Sequence, residues 1–76
     1  MEDKVREAFQ EVLDKAQGGF ADYAKAYARA GLLMTGEDLM YQVPYVLSNL
    51  QHWRGEDARR VKDVFKTYLK EVKKWV

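Results

Sequence analysis

Three polar side chains, Ser48, His52 and Glu56, recur at four-residue intervals and include the groups that nucleophilic catalysis uses. A serine becomes a nucleophile when a base such as histidine takes its proton and a third group orients that base. Gly55, however, favours a helix break between Glu56 and the other two. On an exposed stripe of a short helix they would also lack oxyanion donors and walls that exclude water. We therefore interpret them as a solvated polar flank and predict no catalytic residue.

Paired carboxylates are a second source of acid–base chemistry, and they occur at Glu2–Asp3, Glu37–Asp38 and Glu56–Asp57. Catalytic pairs need a pocket that drives their pKa values apart, whereas acids in the first turn of a helix are favoured by the helix dipole. Each pair precedes an amphipathic stretch, so we interpret all three as helix starts. With no cysteine, a single histidine and no glycine-rich phosphate loop, the chain offers no recognisable metal or cofactor motif. We predict that it is not an enzyme and that it uses no cofactor, metal or small-molecule substrate.

Basic residues concentrate near the carboxyl end of the chain. The net charge is +1, but residues 1–51 carry five basic and eight acidic side chains, and residues 52–76 carry eight basic and four acidic ones. Five of these cations recur at three- and four-residue steps, which predicts one outward helix face. The five are Arg59, Lys62, Lys66, Lys70 and Lys73. Such a face can bind nucleic-acid phosphates, or it can serve only as a lysine-rich solvated surface.

Tyrosines suggest a different surface. Tyr41 and Tyr45 lie four residues apart and lead along the same flank to Ser48 and His52. Exposed tyrosines beside an apolar face are frequent anchors of protein interfaces. The alternative is that they cover the core with their hydroxyls in water. On the first interpretation Tyr41, Tyr45 and His52 form a protein interface.

The elements that must position these residues are helices, because apolar residues repeat at helical rather than strand spacing throughout. We expect helices at about 2–17, 20–30, 36–53 and 56–75, packed as an all-α bundle of three to four helices in one domain, 1–76. The predicted core positions include Val5, Phe9, Val12, Leu39, Val43, Val46, Leu50, Trp53, Ala58, Val61, Phe65, Tyr68 and Trp75.

Two places have alternative interpretations: the junction between the first two helices, and the middle of the third helix. Gly18 and Gly19 favour a break, yet the apolar pattern continues through Phe20, Tyr23 and Tyr27, as it would in one helix spanning 2–30. A helix of that length does not fit a small globular monomer, so we predict a break or kink at the glycines. Pro44 removes one helical hydrogen bond, and we predict a single helix that is kinked there.

The composition also bears on compartment and assembly. No apolar run reaches the roughly 20 residues that cross a bilayer, and Met1–Lys4 lacks the basic start of a signal peptide. We therefore expect a cytoplasmic protein with no membrane partner. A chain of 76 residues without cysteine has a thin core and no disulfides to reinforce it. Self-association, as in a homodimer, would supply that support.

The stretch from Met34-Thr35-Gly36-Glu37-Asp38-Leu39 through Pro44-Tyr45-Val46-Leu47-Ser48-Asn49-Leu50 to Trp53-Arg54-Gly55-Glu56-Asp57-Ala58 resembles small uncharacterised proteins carried by bacteria and their phages. The resemblance covers about a third of the chain. It implies an accessory or regulatory factor that acts through contacts, and it implies no activity and no site residue.

Our leading hypothesis is a self-associating protein-interaction module. The alternative is a nucleic-acid-binding factor that uses the basic face.

Overall fold

A computed structural model of the chain describes residues 1–73, with side chains through residue 72. It contains four helices: α1 (Glu2–Lys15), α2 (Ala21–Gly31), α3 (Gly36–Ser48) and α4 (Glu56–Lys73). No strand occurs in this part of the chain. The predicted all-α bundle is therefore confirmed, with four helices. The Cα radius of gyration is 11.2 Å.

The break between α1 and α2 falls at the two glycines, as predicted, although α1 ends at Lys15 rather than at residue 17. Ala16 has an extended backbone, and Gly18 has a φ of +100°, which favours glycine. A side chain at Gly18 would also collide with the backbone of His52, because an added Cβ would lie 2.7 Å from the His52 carbonyl oxygen. The turn therefore needs glycine both for its conformation and for its close approach to another loop.

The residues that helix α2 buries are all small. Its buried positions are Ala21, Ala24, Ala28 and Gly31, while Phe20, Tyr23 and Tyr27 are exposed. These three rings carry the apolar pattern of α1 onward in the sequence, but they do not extend its buried face. The helix starts again after the turn with a new phase, and its small face allows α1 and α3 to approach closely.

Helix α3 runs through Pro44 without interruption, as predicted, and the kink expected there stays a prediction. It ends at Ser48 rather than at residue 53. The side chains of Ser48 and Asn49 both donate hydrogen bonds to the Tyr45 carbonyl, at 3.2 and 2.8 Å. Serine and asparagine side chains compete in this way with the helical backbone. Leu50 and Trp53 are still buried, but they reach the core from the loop.

The start of α3 is capped by a side chain of another helix. Thr35 occupies the N-cap position but makes no side-chain hydrogen bond there. Instead, the amide of Gly36 donates to Oε2 of Glu2, at 3.1 Å. A carboxylate from α1 thus satisfies an amide that would otherwise lack a helical partner, and it ties the two helix starts together.

Helix α4 packs against α1 and α3 and closes the core. Its buried residues Ala58, Val61, Phe65 and Tyr68 follow the predicted face, and the ring of Phe65 lies 5.3 Å from that of Phe9. The predicted core residue Trp75 lies outside the described residues. Within residues 1–73 no helix has the length and hydropathy needed to cross a membrane.

Candidate interaction surfaces

Six aromatic side chains form a continuous exposed surface across α2, α3 and the loops that flank them. We call this surface the aromatic strip. Tyr41 and Tyr45 are 63% and 56% exposed, and Phe20 and Tyr23 are exposed to a similar extent. Tyr27 is 38% exposed. The members are Phe20, Tyr23, Tyr27, Tyr41, Tyr45 and His52.

Ring contacts connect these residues across the two helices. The rings of Tyr27 and Tyr45 stack at 5.5 Å with an angle of 25° between their planes. Phe20 lies 6.3 Å from Tyr23 and 5.7 Å from His52. The remaining neighbours, Tyr23 with Tyr27 and Tyr41 with Tyr45, are four residues apart on one helix, which places them on the same face. Ring contacts and helical spacing together link the six residues from Tyr41 to His52.

The backbone beneath the strip is held by a buried glutamine. Gln42 is 9% exposed, and its Nε2 donates a 2.7 Å hydrogen bond to the carbonyl oxygen of Tyr27. This bond joins α3 to α2 next to the stacked rings of Tyr27 and Tyr45. The hydrogen bond therefore joins the two helices that carry the exposed rings.

Phe20 adopts an unfavourable backbone conformation. Its φ of +69° lies in the left-handed region, which a bulky residue other than glycine rarely occupies and which costs about 1–3 kcal/mol. The Phe20 ring is nevertheless 58% exposed, so it gains little from burial in the folded chain. A strained residue with an exposed apolar ring is the kind of feature that function, rather than folding, explains.

The structure does not assemble Ser48, His52 and Glu56 into a catalytic group. The hydroxyl of Ser48 donates to the Tyr45 carbonyl, and the ring of His52 packs beside Phe20. Glu56 opens α4, beyond the loop that contains His52. Among residues 1–73, no group of three histidine, cysteine, aspartate or glutamate side chains is arranged to hold a metal ion.

A second surface is a shallow groove of about 260 Å³ between the loop at residues 53–55 and α4. Nζ of Lys62 lies half-buried in it and donates a 2.7 Å hydrogen bond to the Trp53 carbonyl. Burial lowers the pKa of Lys62, and repulsion by Arg54 and Lys66 lowers it further. The groove is lined by Trp53, Arg54, Gly55, Ala58, Arg59, Lys62, Asp63 and Lys66. We call it the basic groove.

The basic groove replaces the outward face expected from sequence. Arg59, Lys62 and Lys66 come together as predicted, but Lys62 is held against the loop and does not extend into solvent. Lys70 is exposed further along α4, and the side chain of Lys73 lies outside the described part of the chain. Arg54 joins the groove from the loop. A helical pattern could not reveal this loop residue.

A third surface feature is a depression of about 560 Å³, which lies where the starts of α1 and α3 meet α4. Its lining combines apolar side chains such as Met40 and Val72 with the carboxylates of Glu2 and Glu37. Tyr68 also lines it, and burial, followed by the nearby charge of Glu2, raises the pKa of the Tyr68 phenol. This depression lies at the opposite end of α4 from the loop at residues 53–55.

Comparison of the chain with protein-family models, with curated proteins and with solved structures found no match.

Proposed function

We propose that this chain is a non-catalytic protein-interaction module that self-associates through the aromatic strip. The observation that carries the proposal is the continuity of the strip: six neighbouring aromatic residues remain on the surface while smaller residues fill the core beneath them. Tyrosine is enriched in protein interfaces because it supplies a large contact area with few rotatable bonds. The resemblance of residues 34–58 to small bacterial and phage-borne proteins fits an accessory or regulatory factor of this kind.

The chemistry of the strip favours a second copy of the chain as its partner. A two-fold symmetric dimer brings the same patch of each subunit together, so charges of a single sign on that patch would repel each other across the interface. The strip contains four tyrosines, one phenylalanine and one histidine, and none of these carries a formal charge when the histidine is neutral. Two such strips can stack ring against ring without electrostatic repulsion.

The small size of the domain gives self-association an energetic advantage. A domain of this length buries only about 60% of the surface that its unfolded chain exposes. Dimerisation would bury the aromatic surface of the strip without requiring a longer chain. We place this assembly in the cytoplasm, since a chain without cysteine gains nothing from an oxidising compartment.

Sedimentation velocity over a wide range of protein concentrations tests the proposal. The unmodified chain is expected to shift from monomer to dimer as its concentration rises, and Tyr45→Ala with Tyr41→Ala should shift the transition to at least about tenfold higher concentration. Leu33→Ala is the control, because Leu33 is an apolar residue that is 91% exposed and is not a member of the strip. A chain that stays monomeric at millimolar concentration would refute the proposal.

A further inference from the structure

The basic groove brings four cations together with a single acid. In the part of the chain that the structure describes, Arg6, Lys15 and Arg60 are each paired with carboxylates. By contrast, Arg54, Arg59 and Lys66 form no ion pair there, although Asp63 also lines the groove. Burial lowers the pKa of Lys62, and the charges of Arg54 and Lys66 lower it further, as expected where cations lie close together. Such a cluster is stabilised when an anion enters it.

Lys62 gives the groove a fixed point. Its hydrogen bond to the Trp53 carbonyl holds the ammonium group between the loop and α4, while the other three cations are exposed around it. An ammonium group that is already held in place loses less side-chain entropy when it binds a ligand than a free surface lysine does. The groove is therefore partly organised for an anion before the anion arrives.

The arrangement of the cations indicates the shape of the anion. Arg59 and Lys70 lie eleven positions apart on α4 with Lys66 between them, a rise of roughly 16 Å along the helix axis. A single phosphate cannot contact a row of that length, whereas a nucleic-acid strand offers a charge about every 3.4 Å of its axis. Trp53 is only 6% exposed, so it has no free ring face on which a base could stack. The groove therefore offers positive charges to a phosphate backbone but no aromatic ring on which a base could stack.

We infer that the basic groove, extended by Lys70, is a sequence-independent binding site for the phosphate backbone of a nucleic acid. It is separate from the aromatic strip: the groove begins at Trp53 and Arg54, whereas the strip ends at His52. A self-associated pair of chains would carry two such grooves. This inference does not depend on self-association, because each groove lies within one chain.

Fluorescence anisotropy with a labelled random-sequence duplex DNA tests the inference directly. Contacts between three or four cations and phosphates predict that affinity falls roughly 40- to 150-fold between about 50 and 200 mM salt. An unlabelled single strand of the same sequence and inorganic phosphate are the competitors. Competition by the strand but not by millimolar phosphate would support a backbone site. Competition by phosphate alone, absence of binding at the lower salt, or dependence on base composition would overturn it.

A matched pair of variants separates the groove from net charge. Arg59→Glu with Lys66→Glu reverses two groove cations and should weaken binding more than about tenfold at the lower salt. Lys4→Glu with Arg29→Glu makes the same change in net charge at exposed positions outside the groove and should weaken binding far less. Circular dichroism checks that both variants remain helical. Equal weakening by the two pairs would overturn the assignment to the groove.

Discussion

The last residue of α2, Gly31, lies directly against the ring of Phe9 in α1. A Cβ atom added at Gly31 would lie 2.8 Å from Cδ2 and 3.0 Å from Cζ of that ring, and it would come still closer to Cε2. Phe9 is fully buried and also packs against Phe65, so its ring has no free space into which it can move. The absence of a side chain at residue 31 therefore sets how closely α1 and α2 approach.

Gly31→Ala is expected to destabilise the fold by about 1–3 kcal/mol, because a methyl group forced into a packed core displaces its neighbours. Phe9→Leu shortens the opposing side chain and should relieve the collision. The double variant is then less destabilised than the sum of the two single changes, as expected for residues in contact. Urea unfolding of the four proteins measures this coupling, and strictly additive losses would contradict the proposed contact.

Gly18 supports a second close approach, between the α1–α2 turn and the backbone of His52. Gly18 and Gly55 both have positive φ values, of 100° and 113°, so alanine should strain the backbone at either site by about 1–3 kcal/mol. Only at Gly18 would the new Cβ also meet other atoms, since nothing lies within 4 Å of the corresponding position at Gly55. Gly18→Ala is therefore expected to cost about 1–3 kcal/mol more than Gly55→Ala. Equal losses of unfolding free energy would show that the turn does not depend on this contact.

Helix positions and most of the core could be predicted because they follow from periodicity alone. Val5, Phe9 and Val12, and likewise Val61 and Phe65, lie where helical spacing places them. No buried face was assigned to α2 from the sequence, because large aromatic residues carried the apparent pattern, whereas the face that the structure buries consists of alanines and Gly31. The small residues Ala21, Ala24, Ala28 and Gly31 also recur at helical spacing, and that signal could have identified the face.

The two surfaces were predictable only in part. Tyr41 and Tyr45 were identified from their spacing, but the contribution of Tyr27 depends on how α2 and α3 face each other. Likewise Arg54 reaches the basic groove through a loop whose path depends on Leu50 and Trp53 entering the core. Local spacing does not contain such long-range contacts, so the sequence indicated one side of each surface and not its partner.

Tyr68 makes the stability of the fold sensitive to alkaline pH. Burial raises the pKa of its phenol above the ordinary value of 10.0, so the folded chain holds this proton more tightly than the unfolded chain. That stabilising contribution is complete below pH 10.0 and is lost as the pH rises through the folded-state pKa. Lys62 has the opposite effect, because its lowered pKa makes the folded chain release a proton earlier.

Tyr68→Phe removes this phenol without removing the ring, and it should therefore reduce the loss of stability above pH 10.0. Urea unfolding on either side of that pH, for the unmodified chain and for Tyr68→Phe, measures the difference. In an alkaline titration followed by tyrosinate absorbance, the variant should also lack the contribution of the tyrosine whose pKa is raised. If both chains lose the same stability over this range, Tyr68 is not responsible for the pH dependence.

Substitutions of Phe20 can separate an effect on folding from an effect on self-association. Phe20→Gly relieves the left-handed strain at φ +69°, a gain that the greater freedom of glycine in the unfolded chain partly offsets. The lost ring contacts involve exposed groups, so the net change in unfolding free energy is expected to lie between zero and about 1 kcal/mol in favour of the variant. Phe20→Asn should behave similarly, because asparagine also tolerates this conformation.

The same substitutions remove one end of the aromatic strip, so self-association should weaken by at least about threefold while the monomer becomes no less stable. Thermal unfolding at low concentration and sedimentation velocity at high concentration measure the two properties on one sample. A residue kept only for folding would behave in the opposite way, because its loss would lower the melting temperature and leave association unchanged. That result would place Phe20 outside the interface and shorten the strip to the tyrosines of α2 and α3.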